Sequence, residues 1–145
     1  MLYSISSNMN KQILLIDDDE DELYFFTEAL RETAHLFTCV GARSVEEGMR
    51  VLIHTRPEFI FLDINMPRIN GFEGLKLIKK LDAIRSIPVI LYSTAVTEEV
   101  TEKGILQGAT ACMQKTGSIA TLARNLQKFL DQRSLLPNEN PVSAS

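Results

Sequence analysis

The chain contains no tryptophan, two cysteines, five prolines and seven glycines in 145 residues, and only 7% of it is aromatic. Cys39 and Cys112 cannot build a disulfide framework and lack the spacing of metal ligands, so a reducing cytoplasm is the predicted compartment. An excess of positive charge is also missing. With 15 basic and 19 acidic residues the net charge is −4, which removes the simplest nucleic-acid reading, since phosphate binding needs a basic face. No run approaches the roughly 18–20 apolar residues of a membrane helix, and no membrane partner is expected. The first ten residues, MLYSISSNMN, lack the basic start and apolar stretch of a signal peptide. What remains is 45% apolar and 23% charged, a globular composition at a length that suits one core and not two.

The ends differ from the middle. Residues 1–10 are polar and aperiodic and are predicted to form a disordered extension, with Met9 as a candidate start. The tail 132–145, QRSLLPNENPVSAS, holds two prolines and little periodicity, and is predicted to fray. Residues 11–131 are read as one domain.

Within that domain two patterns alternate. The short apolar runs ILLI (13–16), FIFL (59–62) and VILY (89–92) read as strands buried on both faces, as in a parallel sheet. FTCV (37–40) and ATACM (109–113) are weaker strand candidates. Between them, Leu23, Phe26 and Leu30 share one helical face. Ser44-Val45-Glu46-Glu47 reads as a capping box opening a helix that buries Val45, Met49 and Leu52. Leu75, Ile78 and Leu81 line a third helix. Residues 97–107 form a fourth, ended by Gly108, and Ile119, Leu122, Leu126 and Phe129 line a fifth. The sum is an α/β chain of the (βα)₅ type, whose short links imply right-handed crossovers and a doubly wound parallel sheet. The flavodoxin-like strand order 2-1-3-4-5 is adopted from known sheets of this kind, and in them sites form at the carboxyl ends of the strands.

Chemistry-bearing residues fall at those ends. Strand 1 runs into Asp17-Asp18-Asp19-Glu20-Asp21-Glu22, strand 3 into Asp63-Ile64-Asn65-Met66-Pro67, strand 4 into Ser93-Thr94-Ala95 and strand 5 into Gln114-Lys115-Thr116. Adjacency of strands 1 and 3 brings Asp17, Asp18 and Asp63 together. Two carboxylates about 4 Å apart repel by roughly 4 kcal/mol at an effective dielectric near 20. A hard divalent cation with oxygen ligands relieves this, and Mg²⁺ commonly combines one or two carboxylates with waters and phosphate oxygens. Each residue alone has a plainer account. Acids favour a helix N-terminus, an aspartate suits a turn, and a lysine is usually solvated. It is the coincidence at four strand ends that points to a phosphoryl site. His35, His54, Met49, Phe25 and Phe26 fall outside it and read as surface or packing residues.

These residues resemble bacterial two-component response-regulator receiver domains, from about Lys11 to Leu130. ILLIDDDED resembles the first strand and acidic pocket. FIFLDINMPRINGFE carries Asp63, Met66, Pro67 and Gly71 in the family's D-x-x-M-P-x-x-x-G spacing. VILYSTA carries the hydroxyl residue and GATACMQK the lysine. The resemblance implies that Asp63 accepts a phosphoryl group, and that Asp17, Asp18, Asp63 and the backbone carbonyl of Asn65 hold Mg²⁺. It also implies that Ser93 and Lys115 engage the phosphoryl oxygens. A histidine kinase or phosphotransfer protein would be the donor. A chemotaxis-receiver-like single domain would then signal by protein contact or onward transfer, without turnover as an enzyme.

Two departures stand out. Cys112 occupies the place of the family's aromatic switch residue, and Thr116 follows the lysine where proline is usual. Without proline a cis Lys115–Thr116 bond would cost about 2.5–4 kcal/mol, so a trans bond is expected, with Thr116 or Ser118 capping the last helix. Two rival readings remain. One is a degenerate receiver that binds partners without phosphorylation. The other is a haloacid-dehalogenase-type phosphatase with Asp17, the first residue of a D-x-D, as nucleophile. A flavodoxin-like flavin binder is disfavoured because the loop after strand 1 is acidic and would repel the phosphate.

Overall fold

Ile13 and Leu15 enter one apolar cluster and Leu14 and Ile16 another, and all four are buried. The period-2 alternation of strand side chains produces this split, so ILLI is a strand with a core on each side. The computed structural model describes the backbone of residues 11–143 and the side chains of 11–133. Five strands are present: β1 (Gln12–Ile16), β2 (Thr38–Ala42), β3 (Phe59–Asp63), β4 (Val89–Ser93) and β5 (Ala111–Gln114). They alternate with five helices, α1 (Glu20–Arg31), α2 (Val45–His54), α3 (Gly71–Lys80), α4 (Glu98–Leu106) and α5 (Ile119–Ser143). All four pairings are parallel, in the order β2-β1-β3-β4-β5. This is the predicted doubly wound (βα)₅ sheet.

The central strands β3 and β4 are buried at every residue, whereas the edge strands β2 and β5 are mostly half-buried. Leu14, Ile16, Ile60 and Leu62 meet Leu52 of α2 and Leu75 and Ile78 of α3 on one face. On the other, Ile13, Leu15, Phe59 and Phe61 meet Phe26 and Leu30 of α1 and Leu122 and Leu126 of α5. Phe26 is the hub of this second core, edge-to-face with Phe61 at 4.9 Å and with Tyr92 at 5.7 Å between ring centroids. Such geometry suits the aromatic quadrupole and adds to area burial.

Each helix starts on a polar cap, satisfying N–H groups that have no partner within the helix. Asp19, Ser44, Asn70 and Thr97 accept from the first turns of α1 to α4. Ser118 Oγ accepts from Thr121 N at 3.1 Å, fulfilling the expected cap of α5. The box at Ser44 is half formed. Glu47 N donates to Ser44 Oγ, but the Glu47 carboxylate turns to Arg43 N at 2.7 Å. The complete box belongs to Asn70 and Glu73, where both bonds are 2.9 Å. Gly108, at φ +107°, takes the left-handed turn after α4 that a Cβ would oppose.

Several local readings shift. The second strand runs Thr38–Ala42, later than FTCV, because its register follows β1. Leu81 caps α3 and is half exposed instead of lining its buried face. No described peptide bond is cis, so Lys115–Thr116 is trans as expected. Cys39 and Cys112 are free thiols on β2 and β5, opposite edges of the sheet. The predictions for residues 1–10, including the start at Met9, lie outside the described residues. The reading of the tail from sequence ends the domain at Asp131, whereas α5 has the bounds Ile119–Ser143, and its side chains from residue 134 lie outside the described ones.

Candidate functional site

The carboxyl ends of β1, β3, β4 and β5 deliver the predicted residues to one end of the sheet. Asp17 directly follows β1 and is buried. Its backbone N–H donates to Ala42 O at 2.9 Å, and its Oδ1 accepts from Asp19 N at 3.0 Å. Asp18 is exposed beside it. Asp63 ends β3 and is buried, with Oδ1 accepting from Asn65 N at 3.3 Å. One oxygen from each of Asp17, Asp18 and Asp63 lies within 4.8 Å of the others. Ser93 ends β4, is 2% exposed, and its Oγ accepts from Ala95 N at 3.2 Å. Lys115 follows β5, anchored by its N–H to Ser93 O at 2.7 Å. Its Nζ stands 2.8 Å from Asp17 Oδ2 and 3.5 Å from Asp63 Oδ2.

The loop after Asp63 is fixed by backbone contacts. Gly71 N donates to Ile64 O at 2.8 Å, and Ile69 N to Pro67 O at 2.9 Å around Arg68, whose φ is 66°. A left-handed non-glycine residue is uncommon and persists where the surroundings hold it. Met66, buried, ties the loop to the core.

Electrostatics follow from this crowding. Burial, then the charges of Asp17 and Asp18, push the Asp63 carboxyl up to about 7, against the opposing pull of Lys115 and the Asn65 N–H. Burial lowers the basicity of Lys115, but the neighbouring Asp17, Asp63 and Glu22 carboxylates outweigh it, and the ammonium is held above its usual range. Asp17 Oδ2 is buried, with the Lys115 ammonium 2.8 Å away. Three carboxylates within reach of one another, two of them buried, fit a hard divalent cation. The donor set is all oxygen and incomplete, as Mg²⁺ prefers when phosphate oxygens and water are to finish its shell.

One pair escaped the sequence reading. Glu22, taken there as a helix-start acid, accepts from the Tyr92 hydroxyl at 3.0 Å. Tyr92 is fully buried and is the register partner of Asp63. Its ring lies 5.5 Å from Lys115 Nζ. A hydroxyl-bearing aromatic next to the end of a buried strand was the available signal, since its polar tip needs a partner. His35 also has a partner that sequence did not show, Asp131 Oδ1 on α5 at 2.8 Å.

Comparison with known proteins gives consistent results. The response regulator receiver domain family matches residues 13–127. Protein PilH of Pseudomonas aeruginosa is 29% identical over 119 residues, covering 82% of this chain and 97% of PilH. The polar-differentiation response regulator DivK of Brucella anthropi is 27% identical over 123 residues, 84% of this chain and 98% of DivK. Among solved structures, the phosphorylated cyanobacterial phytochrome response regulator RcpA superposes with a TM-score of 0.73 at 25% identity, covering 83% of this chain and 91% of that one. The chemotaxis protein CheY4 of Vibrio cholerae shares the fold, with a TM-score of 0.71 at 24% identity over 82% of this chain and 98% of its own.

Proposed function

The chain belongs to the response-regulator receiver family, and on that premise we propose that Asp63 accepts a phosphoryl group from the phosphohistidine of a histidine kinase or phosphotransfer protein. The observation that carries this reading is the meeting of Asp63 with Asp17, Asp18 and the Lys115 ammonium at adjoining strand ends. In the transfer an Asp63 carboxylate oxygen attacks phosphorus, the P–N bond breaks, and the imidazole leaves with the bonding pair and takes up a proton. Mg²⁺, held by Asp17, Asp18, Asp63 and the Asn65 carbonyl, would supply positive charge against the carboxylates and the phosphoryl oxygens.

The chain's own groups do the rest. The Asn65 N–H fixes the Asp63 carboxylate at the end of β3. Lys115, already beside Asp63, pairs with a phosphoryl oxygen, and Ser93 donates to another. Transfer is then mainly positioning and electrostatics. The reaction fits the reducing cytoplasm, where the free thiols of Cys39 and Cys112 persist.

The new charge, about −1.5 to −2 by analogy with other phosphorylated side chains, shifts the face of α4, β5 and α5 and changes its affinity for a protein partner. Leu106 and Ile105, exposed on α4, support a protein contact there. Cys112 cannot swing as a buried aromatic does, so the shift passes through packing. Acetyl phosphate with Mg²⁺ should add one phosphoryl group, on Asp63. A mass map placing it on Asp17 favours the dehalogenase-type reading, and no labelling favours a phosphorylation-independent binding module.

A further inference from the structure

The end of β3 that bears Asp63 is joined to the start of α3. Gly71 N, at the first residue of α3, donates to Ile64 O at 2.8 Å. The Asn70–Glu73 capping box, with both bonds at 2.9 Å, stiffens the first turn. Phe72 stands in that turn, packed against the core cluster that holds Ile64 and Met66. The Lys103 ammonium of α4 lies over its ring, 4.1 Å from the centroid. Lys103 has a ready alternative, since Glu99 precedes it by one helical turn in the order that favours an ion pair. Among the described residues no ion pair forms at Lys103. The ammonium crosses to the face of an aromatic ring on α3 instead. Beneath α4 the fit is close. A Cβ at Gly104 would lie 2.6 Å from Leu91 Cδ1 and 3.5 Å from Cys112 Sγ, so the helix rests directly on β4 and β5.

We propose that the Lys103–Phe72 contact couples the phosphorylated end of β3 to α4, from the side of the helix and not from beneath it. This rests on the phosphoacceptor reading above and deepens it, because it names the contact through which the change at Asp63 reaches α4. With a phosphoryl group in place, the loop after Asp63 and the first turn of α3 readjust as one piece, joined by the Gly71 and capping-box bonds. Phe72 moves with that turn. The exposed ammonium follows the ring and resets α4. Ile105 and Leu106, directly beyond the neighbouring Gly104, are exposed on the same helix, where a protein partner senses the change. Phe72→Leu keeps apolar packing and removes the ring face. Lys103→Gln alters only an exposed side chain and removes the charge.

The test is amide hydrogen exchange of residues 98–106, read by peptide mass in Mg²⁺ with and without acetyl phosphate. The unaltered protein, both single variants and the double variant are compared at equal occupancy of Asp63, which is scored on the same samples. Phosphorylation should change the exchange rate of α4 in the unaltered protein. Each single variant should shrink that change by about two- to fivefold, the range that an exposed cation–π contact supplies. The double variant should lose no more than either single, as two partners in one contact must. A full response in the variants overturns the proposal, even where α4 exchanges faster in both states, since that marks the contact as purely structural. So do losses that add in the double variant, or an unaltered protein that is labelled on Asp63 without any response in α4. Absence of label on Asp63 in the unaltered protein is a different result: it fails the phosphoacceptor reading, and the coupling with it.

Discussion

Gly71 presses its backbone against the carbonyl of Asp63. A Cβ at Gly71 would lie 2.4 Å from Asp63 O and 2.7 Å from Ile64 Cα. Both are main-chain atoms and neither can rotate away. The glycine of the D-x-x-M-P-x-x-x-G spacing is thus explained by space: the start of α3 packs against the end of the strand that bears Asp63, with no room for a side chain between them.

Gly71→Ala should therefore destabilise the protein by about 2–4 kcal/mol, since an overpacked contact that the backbone must absorb lies at the upper end of such effects. Urea unfolding measures it. Slower labelling at Asp63 should accompany it, because the strand end must move. A midpoint unchanged from that of the parent protein would contradict the contact.

Metal-free stability should fall as pH rises from about 4 to about 7. The Asp63 carboxyl is pushed up to about 7 in the fold, against about 3.9 in an unfolded chain. The folded state then binds more protons across that window, and unfolding stability declines until the group is ionised in both states. Asp63→Asn removes this dependence. Its stability in chelator should exceed that of the parent by about 1–3 kcal/mol above pH 7, with the gap closing below pH 4. Denaturant titrations at several pH values provide the check.

Asp18→Asn should weaken Mg²⁺ binding far more than Asp21→Asn. Asp18 belongs to the three-carboxylate cluster, whereas Asp21 is an exposed residue of the first turn of α1 whose N–H donates to the Asp19 cap. A calorimetric or paramagnetic Mn²⁺ titration reads the difference, and equal losses would contradict the assignment. Binding to the unmodified protein should be weak, because the protein offers an incomplete shell.

Cys39 and Cys112 should both titrate as free thiols after unfolding under non-reducing conditions. β2 and β5 are separated by three strands, at about 4.8 Å per strand spacing, far beyond the roughly 7 Å between Cα atoms that a disulfide tolerates. An intrachain bridge found by mass spectrometry would be incompatible with the sheet order.

The sequence alone determined the alternation of strands and helices, since apolar period and run length are local properties of the chain. ILLI, FIFL and VILY read as doubly buried strands, and Ser118 as a possible cap, without reference to any distant residue. The gathering of Asp17, Asp18, Asp63, Ser93 and Lys115 was legible because each ends a strand or lies within two residues of its end, and topology sends all those ends to one side. Tertiary structure alone decided what depends on partners far apart in the chain. The edge strand β2 took its register from β1 and not from its own apolar run. Glu22 looked like one more acid at a helix start until packing set the Tyr92 hydroxyl beside it. Its inward turn follows from a buried donor that had to be satisfied, a demand that arises only when α1 and β4 meet.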